Sequence, residues 1–156
     1  MQVNLFELIR EHLKAVMPGA VYQRQMHERP NALISQLAKT PTERFAEIAA
    51  RQRDLALGEK RRMEKIRPLA LAGMAAGVGL CFVSAGPGLV VASVSGVALG
   101  NSLVVRDGST LRFRIARHFF HLAEKDADFA KHQAETLFWD PHARRSFITR
   151  QRILAD

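Results

Sequence analysis

Two pairs of ionisable side chains in one helical stretch have the types and spacing that could do chemistry. His118 and His121 are spaced i, i+3, Asp128 and His132 are spaced i, i+4, and Lys125 lies between the pairs. Imidazole and carboxylate groups on a helix face can bind zinc when two or three ligands converge. No ExxH or HExxH pattern supplies further ligands. We therefore predict a solvated polar face with no metal and no cofactor; a metal site, and pH sensing by the two histidines, are the alternatives.

No other part of the sequence indicates a catalytic centre. Gly77-Val78-Gly79 lacks the third glycine and the following helix start of a dinucleotide-binding loop. Cys81 is the only cysteine, so no intrachain disulfide can form. A thiol in apolar surroundings favours its neutral, unreactive form. We therefore predict that the protein is not an enzyme.

The rest of the chain must be arranged around an uncharged stretch from Pro68 to Val105. This stretch contains no Asp, Glu, Lys, Arg or His. Gly86-Pro87-Gly88 is a strong turn signal that divides it into two apolar halves. Each half, as a helix of about eighteen residues, would span roughly 27 Å, close to a hydrocarbon core of about 30 Å. We predict a transmembrane helical hairpin over residues 68–105 with its turn at 86–88. A buried hairpin in a soluble bundle and a buried β-hairpin are the alternatives.

Small residues at helical spacing predict where the two spans would touch. Gly73 and Gly77 precede Pro87 by 14 and 10 residues, and Gly96 and Gly100 follow it by 9 and 13. In a hairpin folded at Pro87 the two Gly-xxx-Gly pairs would lie at similar depth, which would let the helix backbones approach closely in lipid. The packing or oligomerisation residues predicted on this basis are Gly73, Gly77, Gly96, Gly100 and Asn101. Hydrogen bonding within the hairpin is the alternative role for Asn101.

Basic residues flank the apolar stretch on both sides, and they set its expected orientation. The predicted membrane-surface residues are Lys60, Arg61, Arg62, Lys65 and Arg67 before the stretch, and Arg106, Arg112, Arg114 and Arg117 after it. Because basic flanks remain cytoplasmic, both termini should be cytoplasmic. The net charge of +8 suits an anionic lipid leaflet, and nucleic acid is the disfavoured partner because no nucleic-acid-binding module is recognisable. The 17 arginines against 6 lysines indicate a bacterial genome, hence the inner membrane.

The flanking regions, 1–67 and 106–156, are predicted to be cytoplasmic and helical, which makes the whole protein all-α. Before the hairpin we expect an amphipathic helix from Asn4 to Val16, a connector over 18–30, a short helix from Asn31 to Ala38, and a long helix starting at Thr40-Pro41. After it we expect a turn at Asp107-Gly108-Ser109, a second long amphipathic helix, and a last short helix after Asp140-Pro141.

The function expected from this organisation is that of a non-enzymatic integral membrane subunit or scaffold. Its partners would be lipids and the other subunits of a multiprotein bacterial envelope complex of the secretion, conjugation or transport type, by architectural analogy. An oligomeric pore-forming protein of a toxin or phage is one alternative. A hairpin protein that shapes membranes is the other.

Overall fold

The computed structural model describes residues 18–154, and every regular element within them is helical, which confirms the all-α fold class. The elements are α1 (Pro18–Gln23), a π-helical segment (Arg24–Glu28), α2 (Arg29–Ala38), α3 (Thr42–Cys81), α4 (Ala85–Lys125), α5 (Ala127–Trp139) and α6 (Pro141–Ile153). The amphipathic helix predicted from Asn4 to Val16 lies outside the described residues.

The hydrophobic core lies in a helical body formed by the short helices, the N-terminal part of α3 and the C-terminal part of α4. Phe45 of α3 and Phe119 of α4 are fully buried there, with ring centroids 6.1 Å apart in an edge-to-face arrangement. Phe147 of α6 closes the same cluster at 5.8 Å from Phe119. Buried aliphatic residues of α2, α4, α5 and α6 surround these rings: Leu33, Ile34, Leu37, Leu111, Ile115, Leu137 and Ile148. The core therefore joins both long helices to the body at one end.

From this body α3 and α4 leave side by side as an antiparallel pair. At 1.5 Å per residue their 40 and 41 residues extend about 60 Å each. The turn that joins them occupies Phe82–Ser84, and the predicted turn at 86–88 is wrong. Ser84 has extended dihedral angles, and Pro87 lies in the first turn of α4. Proline is tolerated there because the first backbone N–H groups of a helix have no intrahelical partner.

The apolar part of this pair is not covered by the rest of the protein. It consists of a first arm, Pro68–Cys81 of α3, and a second arm, Ala85–Val105 of α4. Among the side chains described in the arms, only Ala70, Gly77, Gly88 and Ser102 are buried. By length and composition α4 is long and apolar enough to cross a membrane. Only 11% of its most apolar segment of 18 residues is buried within the protein. The uncovered surface disagrees with a hairpin buried in a soluble bundle.

The two arms are unequal, although the sequence predicts similar halves. The first arm has fourteen residues between Arg67 and the helix end at Cys81, or about 21 Å, and α3 does not qualify as a membrane-spanning helix. The second arm has twenty-one residues, or about 31 Å. The difference arises because the turn comes earlier than the Gly-Pro-Gly signal indicates.

Three other predicted boundaries differ from the structure. The connector expected over 18–30 is helical, and its π-helical segment, closed by the Arg29 N–H to Arg24 carbonyl bond, ends next to Pro30. This wider turn suits a position where proline removes a normal helix hydrogen bond. The turn expected at Asp107-Gly108-Ser109 is continuous helix within α4. The long helix expected up to Trp139 breaks at Asp126, whose carboxylate accepts a hydrogen bond from the Phe129 N–H at 3.0 Å and caps α5.

Other predicted boundaries agree with the structure. The long helix α3 begins at Thr42, within one residue of the predicted start, with Pro41 and not Thr40 at its N-cap; it passes through Gly58, and it also passes Pro68 without a break. Asp140 caps α6, because its carboxylate accepts hydrogen bonds from the His142 and Ala143 N–H groups at 2.8 and 3.0 Å. These two bonds hold the pKa of the Asp140 carboxyl below its usual value.

Candidate functional site

Two of the predicted packing glycines lie where the long helices come closest. A Cβ atom at Gly77 would lie 2.4 Å from the Ala92 backbone nitrogen, and one at Gly73 would lie 2.6 Å from the Ser95 Oγ. Gly88, which the sequence pattern places in the turn, is equally tight against the Cys81 backbone. At Gly77 and Gly88 the neighbour is backbone and only glycine permits the approach, so these two positions set the separation of the helices; the neighbour of Gly73 is a serine side chain.

The other predicted packing residues do not face the first pair as expected. A Cβ atom at Gly96 would lie at an ordinary 3.7 Å from the Met74 sulfur, and one at Gly100 would have no neighbouring heavy atom within 4 Å. Asn101 is half-buried on α4. The earlier turn moves the register, so that Gly77 lies opposite Ala92 instead of Gly96.

Most of the predicted basic residues lie at the base of the arms, whereas Arg112, Arg114 and Arg117 lie further along α4. Arg61, Arg62, Lys65 and Arg67 are exposed, and together with Lys60 and Arg106 they form a basic collar where the apolar arms begin. The Asp107 carboxylate accepts hydrogen bonds from the Arg106 Nε and Nη2 atoms at 3.1 and 3.0 Å. Arg117 is exposed but lies eleven residues beyond Arg106, or about 16 Å further along the helix. Its Nε donates to the His121 Nε2 at 3.3 Å.

Arg112 points into the body, where it belongs to an ion cluster that the sequence analysis does not predict. The Glu59 carboxylate accepts a hydrogen bond from Arg29 at 2.8 Å and a second, on its other oxygen, from Arg112. Ser109 also receives an Arg112 N–H at 3.2 Å. The three charged residues come from α2, α3 and α4, and no short-range spacing signals a contact between positions 30 and 53 residues apart. The cluster ties α2 to both long helices just beyond the collar.

The charge of Glu59 is stabilised by this arrangement. Burial alone would raise the pKa of the carboxyl, but the hydrogen bonds and charges of Arg112 and Arg29 outweigh it and hold the pKa below its ordinary value. Such a carboxyl contributes stability that is present above its unfolded pKa and is lost as the pH falls through the folded value.

The histidines have separate environments. His118 is half-buried against the Phe119 and Phe147 rings, and burial lowers its pKa despite a contact with Gln133 at 3.4 Å. His121 is exposed, and its Nδ1 lies 3.1 Å from a Glu124 carboxylate oxygen. Over residues 18–154 no group of three or more His, Cys, Asp or Glu side chains is arranged to hold a metal ion.

Replacing Gly77 with valine should weaken the contact between the long helices. The new side chain would meet the Ala92 backbone, and overpacking of this kind costs about 1–3 kcal/mol. We expect a lower thermal midpoint for Gly77→Val in detergent. Gly79→Val is the matched control, because no heavy atom lies within 4 Å of that position. Equal midpoints for the two variants would contradict the observed helix contact.

Replacing Glu59 with glutamine should destabilise the protein at pH 7 by about 1–3 kcal/mol, because two half-buried guanidinium groups lose their carboxylate. The difference from wild type should begin to shrink as the pH falls below the carboxyl's ordinary pKa of 4.5, and it should vanish below the lowered folded pKa, where Glu59 itself is neutral. Thermal midpoints measured between pH 3 and 7 test this. Glu64→Gln, an exposed change on the same helix, should follow wild type at every pH. A Glu59→Gln difference that does not vary with pH would refute the charge-based explanation.

A comparison with protein-family models, curated proteins and solved structures found no match to this chain. The distinguishing features of the chain are an uncovered apolar helix pair, a basic collar at its base and a compact helical body.

Proposed function

We propose that this chain is a non-enzymatic integral membrane subunit or scaffold of a multiprotein bacterial envelope complex. The two apolar arms insert into the inner membrane as a hairpin, and the helical body stays at the cytoplasmic surface. The complex would be of the secretion, conjugation or transport type. The body would then contact the other subunits.

The observation that carries this proposal is the exposed apolar surface of the arms. Leu89, Val90 and Val94 are 61–64% exposed, and the turn residues Phe82 and Val83 are 89% and 86% exposed. A contiguous apolar surface of this kind is unusual on a protein surrounded by water and marks contact with lipid or another protein. The backbone of both arms is helical, which satisfies its own hydrogen bonds in a hydrocarbon environment.

The basic collar supports both the depth and the orientation of insertion. Its side chains lie where the arms begin, so they would reach the headgroups while the arms enter the hydrocarbon. The second arm, at about 31 Å, matches a typical bilayer core. The shorter first arm can be accommodated because Lys65 and Arg67 have long side chains that extend toward the surface.

The body supports a role in assembly. Trp139 is 79% exposed at the corner between α5 and α6, and Phe129 of α5 is 54% exposed. Aromatic residues of this type are enriched in protein interfaces. The charged groups of the ion cluster already bond to one another, which is typical of a structural role.

Membrane insertion can be tested with a charge placed on the exposed surface of an arm. Wild-type protein should remain in carbonate-washed membranes, whereas Val94→Arg should be largely released or aggregated. A central arginine costs about 2.5–3.5 kcal/mol in membrane insertion. Leu55→Arg is the control, because Leu55 is similarly exposed on α3 but lies in the body. Wild-type protein found monomeric in the detergent-free supernatant would end this proposal.

The orientation can be tested by labelling single cysteines, since Cys81 is the only natural one. In a Cys81→Ser background, Ser84→Cys marks the turn and Ser146→Cys marks the exposed face of α6. An impermeant maleimide added to intact spheroplasts should label the turn and leave α6 unlabelled until the membrane is opened. Labelling of Ser146→Cys in intact spheroplasts would contradict cytoplasmic termini, and an unlabelled turn would contradict a hairpin that crosses the membrane.

A further inference from the structure

A cleft of about 540 Å³ lies at the junction between the body and the arms. It is bounded by α3, α4, α6 and the π-helical segment, and its charged lining consists of Lys60, Glu64, Arg106, Asp107, Arg114 and Arg152. Its volume is within the range of about 300–1,000 Å³ that is usual for small-molecule sites. Four side chains from three helices therefore bring positive charge to one concave surface.

The junction cleft has four cationic side chains and two carboxylates, so it keeps a net positive charge. Of its two carboxylates, Asp107 is engaged by Arg106, and Glu64 is exposed. Within residues 18–154, Lys60, Arg114 and Arg152 form no ion pair with a carboxylate. Arg114 donates to the Gln151 carbonyl at 3.3 Å, and Arg152 donates to the Met26 carbonyl at 3.4 Å. These neutral acceptors orient the two guanidinium groups without cancelling their charge.

One donor of a residue that lines the cleft is buried and makes no hydrogen bond within residues 18–154. The Arg152 Nε is inaccessible and makes no hydrogen bond within the described part of the chain, although the side chain as a whole is half-buried. Leaving such a donor unpaired is costly, and because the Nε is inaccessible a ligand in the cleft would contact only the accessible part of the Arg152 side chain. Guanidinium groups bind phosphate oxygens in a bidentate manner, and an ammonium group adds a further donor.

The cleft lies at the level where lipid headgroups would be. Gly77 lies opposite Ala92, and the same register places Glu64 level with Arg106 at the base of the arms. On the helix face of Lys60 and Glu64, the following turns carry Leu71 and Val78, both exposed. A bound molecule with an anionic head in the cleft would thus have an apolar surface directly above it.

From these observations we propose that the junction cleft is a binding site for the phosphate-bearing headgroup of an anionic phospholipid, whose acyl chains lie along the exposed face of the arms. The site rests on the proposed membrane insertion and goes beyond it, because a basic collar attracts anionic lipid without holding a particular molecule. Lys60, Arg114 and Arg152 supply the contacts to phosphate. A free phosphate ester has the same charged group and lacks the chains.

The test compares two double variants that remove the same charge. Lys60→Gln/Arg114→Gln removes two cations from the cleft, and Lys65→Gln/Arg117→Gln removes two exposed cations from the same two helices outside it. Native mass spectrometry of the detergent-solubilised full chain measures binding of phosphatidylglycerol and of phosphatidylcholine with identical acyl chains. A separate titration uses sn-glycerol 3-phosphate. Lys60→Arg, which keeps the charge, and thermal midpoints control for misfolding.

We expect wild type to bind one phosphatidylglycerol about tenfold more tightly than phosphatidylcholine, and to bind glycerol phosphate far more weakly. The cleft variant should lose this preference, while the exposed variant and Lys60→Arg should keep it. Equal losses in the two double variants, or no preference in wild type, would overturn the site. Glycerol phosphate binding as tight as the lipid would overturn the lipid as ligand. Failure of membrane insertion is recognised separately, by wild-type protein released on carbonate washing.

Discussion

The close contact between α3 and α4 is the constraint on which the rest of the structure depends. Gly77 and Gly88 allow backbone approaches that no larger residue would permit, and both helices continue from this contact into the aromatic core around Phe45 and Phe119. Because each helix is unbroken, the register set near the turn also fixes which residues meet at the base of the arms. The ion cluster and the junction cleft both depend on that register.

The polar groups are concentrated between two apolar regions. On one side lies the buried core of the body, and on the other lie the uncovered arms. Between them, Glu59 joins Arg29 and Arg112, while Lys60, Arg114 and Arg152 remain without a carboxylate within residues 18–154. If the arms insert as proposed, the charges in this layer would lie next to lipid and would be less screened than on an open surface, so their pairing would matter more. Glu59 and its two arginines form ion pairs within the protein, and the remaining cations line the cleft that we propose as a lipid site.

The helices and the uncharged stretch can be predicted from the sequence because they depend on local signals. Periodic apolar residues, the Asp140 cap and the absence of charge from Pro68 to Val105 each act over a few residues. The turn lies earlier than the sequence predicts because Gly-Pro-Gly can also begin a helix, and Gly88 packs there closely against Cys81. Asp107-Gly108-Ser109 lies within continuous helix, and Gly108 packs there closely against Gln25. The ion cluster and the cleft join distant positions, which no local pattern reveals.

The unequal arms have a mechanical consequence for a bilayer around them. A span of about 21 Å beside one of about 31 Å cannot match a single hydrocarbon thickness, so the pair would lean or the lipid next to α3 would thin. Mismatch costs a fraction of a kcal/mol per ångström, which is enough to sort proteins between membranes of different thickness. A helix pair with arms of unequal length would therefore favour thin or deformed regions of the bilayer, such as those at the edge of a larger assembly.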